Sequence, residues 1–244
     1  MDYLFETVPR NYETFASGRV LYNARGTTAF PVRLASEIAQ RCFRILEGKG
    51  EPGPYSVYDP CCGGGYLLTV VGLLHGPRIG SLQGSDVDGE ALGIAAQNLS
   101  LLTKDGLDRR KDQLRKLYEL YGKTSHREAL ASAEELDERI RSSGIERIAT
   151  FQADATSPEN RADMPGGVHL VMTDLPYGNL AEWRSESRDP LPEWFETVRR
   201  TMIPSRSVLA VVADKGQKLA HGKFRRLQHL KVGKRQIALF EPLA

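Results

Sequence analysis

Four aspartates follow four predicted strands, close to the point where each strand ends. They are Asp59, Asp86, Asp154 and Asp174. Carboxylate oxygens accept hydrogen bonds, and an acid after the second strand of a nucleotide-binding α/β fold binds ribose hydroxyls. We therefore interpret Asp86 as a ribose ligand and Asp154 as an acceptor for an adenine amino group. Each also has a plainer explanation, a helix cap for Asp86 and a lone acid after a strand for Asp154.

A glycine-rich loop follows the first of these strands. From Asp59 to Gly65 the sequence reads Asp-Pro-Cys-Cys-Gly-Gly-Gly, and a predicted helix begins at Tyr66. Glycines allow a ligand to approach the backbone closely, whereas the Asp59 carboxylate attracts an ammonium group and repels a pyrophosphate. S-adenosylmethionine has an ammonium, a sulfonium, a ribose and no phosphate, so it fits this loop. A tight strand–helix turn without a ligand is the alternative.

The segment Thr173-Asp174-Leu175-Pro176-Tyr177-Gly178 follows an apolar strand predicted over 168–172. The Asp174 carboxylate and the carbonyl groups after it can accept both hydrogens of an exocyclic amine. Pro176 stiffens the turn, and Tyr177 offers a ring on which a base can stack. This combination is typical of a site for a nucleobase drawn out of its stack. A tight turn that carries these residues by chance is the alternative.

The composition is that of a folded globular protein. Of the 244 residues, 41% are hydrophobic and 26% are charged, which excludes a disordered or fibrous chain. No stretch approaches the roughly 20 apolar residues of a membrane span, and the N-terminus lacks the apolar core of a secretory signal. Cys42, Cys61 and Cys62 match neither a disulfide framework nor a zinc motif. We therefore expect a cytoplasmic protein without a metal or a membrane partner.

Positive charge is concentrated in two segments. The segment 215–235 has eight basic residues and no acidic one, although the net charge of the chain is only +2. A second excess lies over 109–127. Clustered cations on a nearly neutral protein indicate a polyanion such as RNA, and a solvated surface is the alternative. We predict RNA contacts from six residues of these segments: Arg109, Arg110, Lys111, Arg225, Arg226 and Lys234.

Alternating helix and strand patterns predict an α/β fold. Strands alternating with helices indicate a mostly parallel, doubly wound sheet of the Rossmann-like type. Two strands near 224–232 and 235–240 predict an antiparallel C-terminal hairpin. We predict a single domain over 1–244, with an N-terminal helical extension over 1–50 and a charged helical insertion over 104–143.

Taken in order, these segments resemble the class I S-adenosylmethionine-dependent methyltransferases. The loop from Asp59 to Gly65 is similar to their motif I. Asp174-Leu175-Pro176-Tyr177 is similar to the (Asn/Asp)-Pro-Pro-Tyr motif of amino-group methyltransferases, with leucine in place of the first proline. Together with 29–35, 66–70 and 85–88, these segments closely resemble the avilamycin-resistance 23S rRNA guanine methyltransferases. The likeness covers most of the chain.

The resemblance implies roles for individual residues. Asp174, Pro176 and Tyr177 would hold the guanine and form the catalytic group. S-adenosylmethionine would be held by a larger set: Arg33, Asp59, Cys61, Gly63, Gly65, Asp86, Val87, Asp154 and Asp174. The role implied for Arg33 is an ion pair with the methionine carboxylate, and a plain surface arginine is the alternative.

The expected function is transfer of a methyl group to N1 or N2 of a guanine in 23S rRNA. The partner would be free 23S rRNA or the large ribosomal subunit, and we expect a monomer. Whether the modification serves resistance to orthosomycins such as avilamycin or housekeeping stays open. The main alternative is a non-catalytic RNA- or ribosome-binding protein that retains the fold. A nicotinamide-dependent oxidoreductase is disfavoured by the missing third glycine, and a DNA methyltransferase by the lack of a separate target-recognition domain.

Overall fold

The computed structural model describes residues 2–23, 29–157, 164–176 and 190–243. The helices are α1 (Val32–Gly48), α2 (Tyr66–His75), α3 (Gly89–Ser100), α4 (Lys104–Tyr121), α5 (Thr124–Arg141) and α6 (Leu191–Thr201). The strands are β1 (Tyr55–Asp59), β2 (Ile79–Asp86), β3 (Arg147–Gln152), β4 (Leu170–Asp174), β5 (Val208–Asp214), β6 (Phe224–Val232) and β7 (Arg235–Pro242). Within these ranges no helix has the length and hydropathy that crossing a membrane requires.

The described strands form one sheet in the order β3-β2-β1-β4-β5-β7-β6. The first five strands are parallel, whereas β7 runs antiparallel to both β5 and β6. This topology confirms the predicted mostly parallel sheet with an antiparallel C-terminal hairpin. The order of the strands reverses between β1 and β4. At such a reversal a crevice opens beyond the carboxyl ends of the strands, where ligands bind in open α/β sheets.

Both faces of the sheet are covered, which explains why the central strands are apolar along their whole length. Leu170 and Met172 of β4 belong to the core that includes α1 and α2, whereas Val171 packs with Trp194 and Phe195 of α6. Fully burying one such side chain stabilises the fold by about 1.5–3 kcal/mol. The two layers therefore fix the strands, and with them the residues at the strand ends.

The segment between α3 and β3 forms a helical hairpin of α4 and α5. Leu107 and Leu114 contribute to its core. Between the helices, Lys111 Nζ lies 2.9 Å from Glu134 Oε2 and 3.2 Å from Asp137 Oδ2, and Lys111 is 4% exposed. The prediction that Lys111 contacts RNA is therefore wrong, because its charge is used inside the hairpin.

The N-terminal extension is largely irregular rather than helical before α1. Residues 2–23 contain a single 3₁₀ turn, Glu13–Phe15. The buried carboxylate of Glu37 in α1 accepts hydrogen bonds from the backbone N–H groups of Leu4, Phe5 and Glu6 at 2.8–2.9 Å. Burial opposes ionisation of Glu37, but these donors outweigh it and lower the pKa of the carboxyl. The extension is thus held by a carboxylate and not by helix formation.

Candidate functional site

Three of the predicted aspartates lie at the carboxyl ends of β1, β2 and β4. Asp59, Asp86 and Asp174 are the last residues of these strands. Burial, together with the negative charges of Asp86 and Asp174, raises the pKa of Asp59 to about 7. Coulombic repulsion of this kind acts between neighbouring groups. The structure therefore brings the three carboxylates into one acidic pocket at the crevice between β1 and β4.

The glycine-rich loop borders this pocket. Gly63 and Gly65 have positive φ angles of 51° and 71°, a conformation that favours glycine. A Cβ atom at Gly65 would lie 3.0 Å from the Cα of Ala95 in α3, whereas a Cβ atom at Gly63 would meet no atom within 4 Å. Gly65 therefore allows close packing of the loop on α3, and Gly63 leaves open space beside the backbone for a ligand.

Asp86 and Asp88 have different hydrogen-bond partners. Asp86 Oδ2 accepts from the Gly63 N–H at 2.8 Å, and Asp86 Oδ1 accepts from the Asp88 N–H at 3.0 Å. Asp88 Oδ1 accepts from the N–H groups of Glu90 and Ala91 in the first turn of α3. Asp88 is thus the N-cap of α3, and the helix-cap explanation of Asp86 is wrong.

Asp154 lies two residues beyond the end of β3. Its Oδ1 atom accepts from the backbone N–H of Thr156 at 2.8 Å and from the Thr156 hydroxyl at 2.7 Å. The Gln152 side-chain amide donates to the Val87 carbonyl at 3.0 Å, which joins the ends of β2 and β3. Asp154 and Val87 therefore lie at the β2–β3 side of the acidic pocket.

Asp174 is a partly buried residue at the end of β4, on the same crevice. Burial raises its pKa to about 7, opposed by the positive charge of Arg235. Asp174 Oδ1 is buried and has no hydrogen-bond partner in the described part of the chain. A buried polar atom of this kind is costly unless a ligand satisfies it. Asp174 Oδ1 is therefore an acceptor that no described residue satisfies.

The residues after Asp174 explain why leucine replaces the first proline of the motif. The Leu175 N–H donates to the Val212 carbonyl of β5 at 2.9 Å, and proline could not make this bond because it has no N–H. Leu175 is also buried, and Pro176 is half-buried. The turn is therefore anchored to β5. Tyr177, predicted to stack on the base, lies outside the described residues.

Cys61 contributes to the loop through its backbone. Its N–H donates to Asp59 Oδ1 at 3.0 Å. Burial, with the negative charges of Asp59 and Asp86, raises the pKa of the Cys61 thiol well above its usual value. A thiol that remains protonated is a poor nucleophile, so the side chain is suited to packing and not to covalent chemistry.

The structure places Arg33 away from its predicted role. Its guanidinium donates to the Glu6 carbonyl at 3.0 and 2.6 Å and to the Thr7 carbonyl at 3.3 Å, and it lies 4.0 Å from the centre of the Tyr3 ring. These contacts tie α1 to the N-terminal extension. The prediction that Arg33 pairs with the cofactor carboxylate is therefore corrected to a structural role.

Asn98 of α3 is a site-positioning residue that the sequence reasoning missed. Its side-chain amide donates to the carbonyls of Gly64 at 2.8 Å and Tyr22 at 3.0 Å, and its Oδ1 accepts from the Tyr22 N–H at 2.7 Å. Asn98 is 1% exposed, so it fixes the glycine-rich loop between α3 and the N-terminal extension. The sequence signal that could have identified Asn98 is a polar residue beside Leu99 on an otherwise apolar helix face.

The remaining residues predicted to contact RNA differ in exposure. Arg110 donates to the carbonyls of Val20 at 2.9 Å and Arg19 at 3.2 Å and stacks on Tyr22, so the prediction for Arg110 is also corrected to a structural role. Arg225 is exposed but pairs with Glu241. The side chains of Arg109, Arg226 and Lys234 are exposed and can reach a partner.

Comparison with known proteins identifies the family. A family model described as rRNA methyltransferase AviRa matches residues 1–235. The chain belongs to the AviRa family of rRNA methyltransferases. Membership confirms the predicted methyltransferase and gives no support to the non-catalytic alternative.

Individual relatives agree with this assignment. The 23S rRNA (guanine(2535)-N(1))-methyltransferase of Streptomyces viridochromogenes is 39% identical over 228 residues, which cover 92% of this chain and 89% of that protein. The structure of the rRNA methyltransferase aviRa from the same organism superimposes with a TM-score of 0.85 at 36% identity, covering 98% of this chain and 96% of that one. TrmN from Thermus thermophilus has a TM-score of 0.53 at 15% identity and covers 90% of this chain and 51% of that one, so it shares the fold.

Methyltransferases of this fold use S-adenosylmethionine, and the pocket of this AviRa-family chain suits that cofactor. A cationic ligand is favoured by three neighbouring carboxylates, and it lowers the cost of ionising Asp59. Gly63 leaves space for close approach to the backbone. Among the described residues, no three His, Cys, Asp or Glu side chains are placed so that they could hold one metal ion together.

Proposed function

We propose that this protein methylates N1 of a guanine in 23S rRNA, with Asp174 as the base. The observation that carries this proposal is the buried Asp174 Oδ1 without a partner among the described residues. N1 of guanine bears a hydrogen that must leave when a methyl group is attached. A carboxyl group with a pKa of about 7 is well matched to accept that proton near neutral pH. The printed name of the Streptomyces relative favours N1 over N2.

The cofactor fits along the carboxyl ends of β1, β2 and β3. Asp59 takes its ammonium group, Asp86 its ribose hydroxyls and Asp154 its adenine amino group. When bound, S-adenosylmethionine supplies a methyl group attached to a positively charged sulfur. Gly63 and Gly65 allow the backbone of the loop to lie against the ligand. The positions of Asp59 and Asp86 at the ends of β1 and β2, and of Asp154 just after β3, support these assignments.

Asp174 then serves the base. Its carboxylate accepts the guanine N1 proton at Oδ1 and so leaves the N1 electron pair for bond formation with the methyl carbon. Because the methyl group is already strongly electrophilic, the main contribution of the protein is to hold N1 in line with it. Pro176 restricts the turn beside the base, and Tyr177 is proposed to stack on it.

The test compares the wild-type protein with Asp174→Asn, a substitution of nearly equal volume. Each is incubated with the cofactor and 23S rRNA or large subunits, and the RNA is copied by reverse transcription. A methyl group on N1 blocks Watson–Crick pairing and stops the copy, whereas a methyl group on N2 does not. We expect a single stop with the wild type and a loss of about 10²–10⁴-fold in rate with the variant.

Cofactor titration separates a catalytic defect from a binding defect. We expect Asp174→Asn to bind S-adenosylmethionine within about threefold of the wild type, since its partner is the base. Methylation by the wild type without a stop would move the target to N2. Full activity of the variant would remove Asp174 from proton transfer.

The proposed setting is the cytoplasm, where a monomer meets free 23S rRNA or the large subunit. A methyl group at a drug-contacting guanine lowers affinity for a drug that needs its Watson–Crick edge. We therefore propose resistance to orthosomycins such as avilamycin as one use of the modification. Expression of the wild type, but not of Asp174→Asn, should raise the inhibitory concentration of avilamycin in a sensitive host. An equal value for both would favour housekeeping.

A further inference from the structure

Arg235 lies at the carboxyl edge of the sheet, close to Asp174. In the sheet, Asp174 of β4 pairs with Val212 of β5, and Val212 pairs with Ile237 of β7. Arg235 pairs with Asp214, two residues further along β5. Arg235, the first residue of β7, therefore lies two residues beyond the row of paired residues that contains Asp174. It is on the side of that row where the crevice opens.

The alternation of side chains places Arg235 and Asp174 on the same face of the sheet. In β4, Leu170 and Met172 belong to the core that also includes Ile237 of β7. Side chains two residues apart on a strand share a face. Asp174 is therefore on the same face as Met172, and Arg235 is on the same face as Ile237. The Arg235 charge accordingly lowers the pKa of the Asp174 carboxyl against the effect of burial.

An aromatic ring lies beside the Arg235 guanidinium. The Cζ atom of Arg235 is 5.6 Å from the centre of the Phe30 ring, within the range of a cation–π contact. Phe30 is 5% exposed and lies two residues before the start of α1. The head group of Arg235 is therefore positioned by the packed edge of the protein, unlike that of the exposed Lys234 next to it.

A carboxylate and a guanidinium on one side of a pocket match the edge of guanine and not that of adenine. Guanine presents a donor at N1 and an acceptor at O6, whereas adenine presents an amino donor at N6. Loss of the N1 proton also leaves negative charge that is shared with O6. A fixed cation at O6 stabilises this charge as it develops.

We propose that Arg235 donates hydrogen bonds to O6 of the target guanine, selects guanine and stabilises the charge that forms when Asp174 removes the N1 proton. The proton passes from N1 to the Asp174 carboxylate, and the N1 electron pair forms the new bond to the methyl carbon. The electron pair of the broken carbon–sulfur bond stays on sulfur. This inference rests on the proposed N1 methylation.

The experiment measures single-turnover methylation of 23S rRNA, with saturating cofactor and varied RNA, between pH 6.5 and 9. We compare the wild type, Arg235→Gln, Arg235→Lys and the matched control Arg44→Gln, which removes an exposed positive charge of α1 outside both basic segments. Arg235→Gln should lower the maximal rate at pH 7 by about 10²–10³-fold, the usual effect of losing one donor to a developing anion. The loss should shrink as the pH rises, because hydroxide then assists removal of the N1 proton.

The two other variants separate charge from geometry. Arg235→Lys should recover part of the rate, since it keeps the cation but not the planar fork. Arg44→Gln should keep the wild-type rate and pH profile. Cofactor titration and thermal unfolding show that each variant is folded. If Arg235→Gln does not fold, the pH dependence of the Arg235→Lys rate is the measurement that tests the inference.

Three outcomes would overturn the inference. They are an unchanged maximal rate, a loss that is the same at every pH, and an effect on RNA affinity alone, which would indicate a phosphate contact. Failure of the proposed function is distinguishable from all three. It would show in the wild type itself, as a methylated guanine that does not stop reverse transcription.

Discussion

Asp86 and Asp88 are two residues apart, yet the structure gives them different tasks. Asp86 joins the glycine-rich loop to the end of β2 through the Gly63 N–H, whereas Asp88 caps α3. Sequence reasoning weighed a helix cap as the alternative for Asp86, although the common N-cap is an acid one residue before the helix, which is the position of Asp88. It did not anticipate that Asp86 also holds the loop. The cofactor site and the fold therefore share this carboxylate.

Substitution of the two aspartates by alanine should separate cofactor binding from helix capping. Asp86→Ala should weaken S-adenosylmethionine binding by about 1.5–3 kcal/mol, the range for losing hydrogen bonds to a charged group. Asp88→Ala should instead lower the free energy of unfolding by about 1 kcal/mol and leave affinity within about threefold. Calorimetric titration and urea unfolding measure the two effects. Equal cofactor affinity in Asp86→Ala and the wild type would exclude Asp86 from the ribose site.

At the scale of elements, the hairpin of α4 and α5 shows what a charge count misses. Lys111 lies four residues after Leu107 and three before Leu114, so helical spacing already placed it on the buried face. Asp137 pairs with it and also with Arg141 at 3.1 Å. The hairpin is therefore joined by an internal ion cluster that includes Lys111, whereas Arg109 is exposed.

Two substitutions in α4 should separate an effect on stability from an effect on RNA binding. Lys111→Ala should destabilise the protein by about 3 kcal/mol, because it leaves Asp137 without its buried partner, and it should not change RNA affinity. Arg109→Ala should change stability by less than about 0.5 kcal/mol and weaken RNA binding if α4 contacts RNA. Chemical denaturation and filter binding give the two readings. Weaker RNA binding by folded Lys111→Ala would contradict the structural role of the lysine.

The β6–β7 hairpin offers a second test for RNA binding. Arg226 and Lys234 are exposed, whereas Arg225 pairs with Glu241. Replacing Arg226 and Lys234 by glutamine should weaken rRNA binding and reduce the slope of log K against log salt by about 0.7–0.9 per lost phosphate contact. Arg225→Gln should have a smaller effect. If only solubility falls, the charges protect the sheet edge from pairing with other chains.

At the scale of the whole molecule, the strand ends were predictable and the relative placement of distant residues was not. Asp59, Asp86 and Asp174 lie at the ends of predicted strands, and parallel strands place their carboxyl ends on one edge. The insertion of β7 between β5 and β6 depends on pairing across the sheet. The contact between Arg235 and Phe30 follows from that pairing, and no local pattern records it.

The acidic pocket should make cofactor binding depend on pH. The pKa values of Asp59 and Asp174 are raised to about 7 in the folded protein. Without a ligand, the free energy of unfolding therefore increases as the pH falls from 7 toward 4, because the folded state favours the neutral carboxyl groups. It decreases again as the pH rises. A cationic ligand favours the ionised form of Asp59, the carboxylate proposed to take its ammonium group. Affinity should therefore rise between pH 6 and 8, by roughly tenfold if one proton is released. The pKa of buried His75 is lowered to about 4, outside this range.

Calorimetric titration of S-adenosylmethionine at several pH values measures this effect. Asp59→Asn should bind more weakly at pH 8 and show a flatter dependence on pH, with Asp88→Ala as a control that keeps the wild-type dependence. Equal affinity of the wild type at pH 6 and 8 would show that the cofactor does not draw a proton from the pocket.

The position of β7 has a consequence for the order in which the protein assembles. Among the described strands, β6 pairs with β7 alone, and the two are joined by the short turn Gly233-Lys234. A local hairpin of this kind forms in about 1–10 μs, and it must then dock on β5 through β7 as a unit. Docking brings Arg235 to Phe30 and Asp174, whereas the contacts of the glycine-rich loop with α3 do not involve β6 or β7. We expect native-state hydrogen exchange to show β6 and β7 opening together, so that the base pocket is lost before the cofactor pocket.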